Sequence, residues 1–117
     1  MHYSIFHNPK CSKSRETLKL LNEHGIQPEI ILYLASPPTE KDLTTILKKL
    51  GLEAKDLIRF KEGVASELGI KSSDQRSEKE WVRLMVENPV LIERPIVMTP
   101  QKAVIGRPPE KVLELIG

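Results

Sequence analysis

The chain has a single cysteine, Cys11, so it cannot close a disulfide within itself. The same scarcity excludes a C-x-x-C redox centre, because Cys11-Ser12-Lys13-Ser14 carries serine where the resolving thiol would stand. Aromatic residues are few, with one Trp, two Tyr and two Phe, and none interleaves with a basic stripe of the kind on which nucleobases stack. The three histidines, at positions 2, 7 and 24, have no metal-ligand spacing with one another or with Cys11, so no structural or catalytic metal is expected. No apolar run approaches the ~18 residues of a membrane span, and no secretory leader opens the sequence. Charge of one sign is lacking too: 18 basic and 16 acidic residues leave a net +2 without a long block of either. That describes a solvated surface, not a nucleic-acid footprint. A free thiol without leader or membrane span points to a reducing cytoplasm.

What is present gathers around Cys11. It stands in His7-Asn8-Pro9-Lys10-Cys11-Ser12-Lys13-Ser14-Arg15, where an apolar strand turns into a helix. The unsatisfied N–H groups of a helix start and nearby cations both favour a thiolate, and Lys10, Lys13 and Arg15 surround the site with no acid before Glu16. The opposing reading is a small buried apolar residue. Those charged neighbours favour the reactive thiol, and with no second cysteine any oxidised or adducted Cys11 must be released by a thiol from outside the chain.

The rest of the chain organises into one α/β domain of 117 residues. Tyr3–Phe6 reads as a strand, Ser12–His24 as a helix ended by Gly25, and Pro28–Leu34 as a buried strand parallel to the first, making a right-handed βαβ unit. After Ser36-Pro37-Pro38, Thr39 with Asp42 starts a helix whose apolar face is Leu43, Ile46, Leu47 and Leu50, stopped at Gly51. Short helical pieces fill 54–69. Ser77 and Glu80 form a capping-box pattern ahead of Trp81, Leu84 and Met85, and Asn88-Pro89 closes that helix. Pro95–Thr99 and Ala103–Ile105 form a hairpin around Pro100-Gln101, and Pro108-Pro109 starts a last helix with Val112, Leu113 and Ile116 inward. The expected architecture is a mixed four-stranded sheet with helices, compatible with a thioredoxin-like fold carrying a helical insertion at approximately 36–90.

With Pro100 and Gln101 as the turn, Ile96 falls opposite Ile105 and Arg94 opposite Arg107. Two arginines side by side repel unless an anion lies between them, and their forked donors suit a tetrahedral oxyanion; exposed arginines at strand ends are the alternative. Arg59 reads as a surface or salt-bridged residue in preference to a member of the site, and Arg15 as a cap of the cysteine loop or a solvated side chain. His7, as an imidazolium folded back toward the thiol, would depress its pKa, or it is simply a solvated loop histidine. Ser14 is a candidate hydrogen-bond donor to the thiolate. A cysteine phosphatase loop is disfavoured, since it needs an arginine where this chain has Thr17, and Cys11 to Arg15 is too short a cradle.

The run Asn8–Arg15 resembles the active-site loop of the glutathione- and glutaredoxin-linked arsenate reductases, the ArsC family. The resemblance continues in Pro28–Leu34, Asp56-Leu57-Ile58-Arg59, Glu93-Arg94-Pro95-Ile96-Val97 and Gly106-Arg107-Pro108, in the same order along nearly the whole chain. It implies a thioredoxin-like core in which Cys11 is the nucleophile, Arg59, Arg94 and Arg107 form the oxyanion site, His7 helps depress the thiol pKa, and Pro95 follows a cis bond. It also implies arsenate as substrate, glutathione as co-substrate with no tightly bound cofactor, and glutaredoxin as the protein that resolves the mixed disulfide. Ending at Gly117, the chain looks most like a short, arsenate-reductase-like subgroup. Two alternatives stand beside arsenate reduction: a non-catalytic regulator or adaptor that binds a protein partner, and a glutathione-dependent reductase of another substrate.

Overall fold

A computed structural model of the chain describes residues 2–116. It divides into two compact units, Met1–Ser36 with Arg94–Gly117, and Pro37–Glu93. The first unit contains β1 (Ser4–Phe6), α1 (Ser12–Glu23), β2 (Glu29–Ile31), β3 (Ile96–Met98), β4 (Ala103–Ile105), a 3-10 turn over Pro109–Val112 and the short α5 (Leu113–Ile116). The sheet runs in the order β2-β1-β3-β4, with β1 and β2 parallel and the other pairs antiparallel. This is the mixed sheet of the thioredoxin-like fold. In register, Ile30, Ile5, Val97 and Val104 line one face. Ile5 and Val97 are fully buried there with Leu21 of α1 and Val112 after the hairpin, each such side chain worth ~1.5–3 kcal/mol relative to exposure. Helix α1 stops because Gly25 takes φ 75° and the Ile26 N–H turns back to the Leu21 carbonyl at 3.0 Å, so His24 caps the helix instead of belonging to it.

Two expectations for this unit fail. Pro28–Leu34 is not a buried strand: only Glu29–Ile31 pairs, at the sheet edge, and Ile30, Leu32 and Leu34 stay 50%, 46% and 45% exposed. The chain turns immediately afterwards, with Tyr33 N–H on the Ile31 carbonyl and Ala35 N–H on that of Leu32. Leu113 is likewise 39% exposed instead of inward. The 3-10 geometry through Val112 explains this, because a tighter turn rotates the next side chain off the face a 3.6-residue period predicts.

The second unit spans Pro37–Glu93. It holds α2 (Glu40–Leu50), a 3-10 turn over Ala54–Leu57, α3 (Gly63–Leu68), α4 (Glu78–Glu87) and a 3-10 turn over Pro89–Leu91. Thr39 and Asp42 close a reciprocal capping box on α2, with Asp42 N–H to Thr39 Oγ1 at 3.0 Å and Thr39 N–H to Asp42 Oδ2 at 3.2 Å. Ser77 and Glu80 do the same for α4. Leu43, Ile46 and Leu47 of α2 and Trp81, Val82 and Met85 of α4 are the buried faces, and Phe60 meets Trp81 edge-on at 5.7 Å. An antiparallel bridge between Ile58 and Ile92 ties the two short turns together.

Candidate active site

Cys11 is the N-cap of α1, with extended backbone (φ −97°, ψ 123°), and its side chain is half-buried. The loop before it is folded by its own polar groups. The Cys11 N–H donates to the Asn8 carbonyl at 2.9 Å, the Lys10 N–H to Asn8 Oδ1 at 3.0 Å, and Arg15 Nη1 to the Pro9 carbonyl at 2.9 Å. Arg15 therefore caps the cysteine loop, while Lys13 faces solvent and pairs loosely with Glu16 at 3.7 Å.

The hairpin supplies the cation that reaches the sulfur. The β3–β4 register sets Ile96 opposite Ile105 as expected, and the pairing continues with the Gly106 N–H on the Pro95 carbonyl at 2.9 Å. Arg94 and Arg107 thus flank the open end of the hairpin, each followed by a cis proline bond, Arg94–Pro95 and Arg107–Pro108. The Arg107 guanidinium uses both arms of its fork. Its Nε donates to the Arg94 carbonyl at 2.7 Å, and its Nη2 points at Cys11 Sγ at 3.6 Å. Arg94 is half-buried, with its Nε and Nη1 atoms out of solvent. Arg59 belongs to the helical unit, where its backbone N–H bonds the Leu91 carbonyl at 2.7 Å and its guanidinium lies 2.6 Å from Glu62 and 3.5 Å from Glu93. It is a salt-bridged arginine.

His7 and Ser14 take different parts from those expected. Both are buried. The Asn8 N–H donates to Ser14 Oγ at 3.0 Å, and the same hydroxyl is hydrogen-bonded to His7 Nδ1, 2.6 Å away. Burial, with Arg15 close by, lowers the His7 pKa from its ordinary value of 6.5, so the ring is neutral at pH 7 and is not the imidazolium proposed to act on the thiol. Ser14, in turn, bonds His7 and Asn8 rather than the sulfur. The positive group against Sγ is Arg107, and His7 with Ser14 braces the loop. A signal for the brace was available: Ser14, Thr17 and Leu21 recur at helical spacing and form the buried face of α1, so its hydroxyls need internal partners. Asn8 and Thr17 were missed for want of that reading.

One consequence is measurable. A histidine held neutral binds fewer protons folded than unfolded, so its contribution is complete above pH 6.5 and is lost as pH falls through its lower folded pKa. Between pH 7.5 and 5.5 the urea midpoint of the wild type should therefore drop further than that of His7→Gln, which lacks the ionisable ring. Parallel pH profiles for the two proteins would rule this out.

Among the described residues, no group of three or more His, Cys, Asp or Glu side chains is arranged to hold a metal ion, and no helix is long and apolar enough to cross a membrane. Residues 6–115 match the ArsC family. The chain is 52% identical over 114 residues to the uncharacterised protein YfgD of Escherichia coli (strain K12), covering 97% of this chain and 95% of that one. It is 46% identical over 117 residues to an arsenate reductase of Haemophilus influenzae, covering 99% and 100%. Its fold superposes on an arsenate reductase from Vibrio cholerae with a TM-score of 0.92, at 47% identity and with 97% of each chain covered.

Proposed function

Because the chain belongs to the ArsC family, we propose that it is an arsenate reductase whose nucleophile is Cys11. The observation that carries this reading is the Arg107 guanidinium 3.6 Å from the only thiol in the chain, a cation placed to hold an oxyanion against a sulfur. The Cys11 thiolate attacks arsenic, an S–As bond forms, and one arsenate oxygen departs as water after protonation. Arg107 and Arg94 bind the remaining oxygens and balance the charge that builds on them. Arg59 is assigned to the same oxyanion role by family resemblance, with Glu62 and Glu93 fixing its orientation.

Reduction of arsenic(V) to arsenic(III) takes two electrons, and the chain can supply only one sulfur. The second comes from glutathione, whose thiolate attacks the Cys11 sulfur, so that the S–As electron pair leaves with arsenite and a Cys11–glutathione disulfide remains. A glutaredoxin thiol then cleaves that disulfide and returns Cys11 to the reduced state, a cycle suited to a reducing cytoplasm. No tightly bound cofactor is required, and His7 and Ser14 serve by holding the loop.

The test is arsenite formation by the purified protein with glutathione alone, with glutathione and glutaredoxin, and with thioredoxin in their place. Turnover that needs glutathione and rises severalfold with glutaredoxin is the expected result. Turnover with thioredoxin but not glutathione would overturn the donor assignment. No arsenite with any donor, from a folded protein whose Cys11 still alkylates, would overturn the reaction itself.

A further inference from the structure

Gly106 separates β4 from Arg107, and the space its missing side chain leaves is already taken. A Cβ at Gly106 would stand 2.6 Å from Oγ1 and 3.1 Å from Cγ2 of Thr17, and 2.9 Å from Cγ of Pro95. Any side chain there forces a neighbour to move, and these neighbours are not loose. Thr17 is fully buried on α1 and β-branched, which restricts its rotamers. Its hydroxyl donates to the Lys13 carbonyl at 2.8 Å and reaches toward the Gly106 carbonyl at 3.5 Å. Pro95 is a buried ring whose carbonyl accepts the Gly106 N–H at 2.9 Å.

This seam joins the two elements that carry the reacting groups. Helix α1 starts at the Cys11 cap, six residues before Thr17. On the other side, the residue after Gly106 is Arg107, pinned by Nε to the Arg94 carbonyl and facing Sγ with Nη2. The approach of α1 to the hairpin at Thr17 and Gly106 therefore governs the gap between sulfur and guanidinium. We propose that Thr17 and Gly106 are positioning residues that set the Cys11–Arg107 separation, Thr17 as the spacer and Gly106 as the one residue type thin enough to meet it. The consequence for catalysis rests on the arsenate reading, since an oxyanion held by Arg107 must stay within reach of Sγ and a misplacement of ~1 Å can cost about 10²-fold in rate.

The separation can be read without arsenate. Cys11 is the only thiol, so anionic iodoacetate and neutral iodoacetamide report the same atom. Their rate ratio senses the nearby guanidinium, and division by the iodoacetamide rate cancels changes in thiol nucleophilicity. Gly106→Ala should lower the iodoacetate-to-iodoacetamide ratio by about fivefold, and Thr17→Ala, which removes the spacer and lets α1 close on the hairpin, should raise it by about twofold. The Thr17→Ala/Gly106→Ala double variant should recover more than half of the Gly106→Ala loss, because Oγ1 and Cγ2 no longer occupy the new methyl's place. In the arsenate assay, kcat/KM should follow the ratio across the set. A folded Gly106→Ala protein with the wild-type ratio overturns the proposal, as does a double variant no better than Gly106→Ala. If Gly106→Ala does not fold, Thr17→Ala decides, and a folded protein with the wild-type ratio overturns it. Ratios that shift as expected in a protein without arsenate turnover would uphold the positioning role and defeat the arsenate reading alone.

Discussion

Cys11→Ser should lose arsenate reduction by about four orders of magnitude or more, to the background of the thiol donors, while its folded stability stays level or rises slightly. The two halves of that result have separate causes. As the N-cap of α1, Cys11 makes no side-chain capping hydrogen bond, and serine is among the best residues for that position, so the substitution gives the helix start an acceptor it lacks. The chemistry has no such substitute. A serine hydroxyl needs a base to become a nucleophile, and the His7 imidazole is bonded through Nδ1 to Ser14 at 2.6 Å, not to residue 11. Even a serine that attacked could not complete the cycle, because oxygen cannot form the mixed disulfide that delivers the second electron. Arsenite formation and the urea midpoint, measured on the same preparation, separate the effects. Residual turnover above about 1% in a thiol-free protein would remove Cys11 from the mechanism.

The parts of this site that were legible in the sequence are the local ones. The hairpin register followed from Pro100-Gln101 and placed Ile96 against Ile105. The capping boxes at Thr39 and Ser77 mark the starts of α2 and α4 because both partners lie within one turn. Burial was harder to read. The apolar composition of Pro28–Leu34 suits a buried strand and an exposed edge alike, and only the sheet order places it at the edge. His7 shows the same limit: its spacing to Cys11 suggested a cation, whereas the charge it carries depends on burial that no spacing reports. Register put Arg94 and Arg107 at one end of the hairpin but could not show that Arg107 would fold back onto the Arg94 carbonyl, leaving one arm of its fork for the sulfur. The meeting of Thr17 with Gly106, 89 residues apart, is a product of the tertiary fold.

Arg107→Ala should cut kcat/KM for arsenate by about 10²–10³-fold, the range for removing one donor aimed at developing negative charge. Arg107→Lys should recover little of it. The lysine restores the charge but replaces a planar fork with a single nitrogen, and the wild-type geometry uses two nitrogens at once: Nε on the Arg94 carbonyl at 2.7 Å and Nη2 toward Sγ at 3.6 Å. An ammonium group that takes the carbonyl is drawn away from the thiol, and one that faces the thiol leaves the carbonyl without that donor. Iodoacetamide, which carries no charge for Arg107 to attract, should still alkylate Cys11 in both variants, so a selective loss with arsenate locates the effect in oxyanion binding. Full recovery by lysine would mean that charge alone is required and that the fork does not set the geometry. An alanine variant with wild-type kcat/KM would take Arg107 out of the oxyanion site, and with it the observation on which the arsenate reading stands.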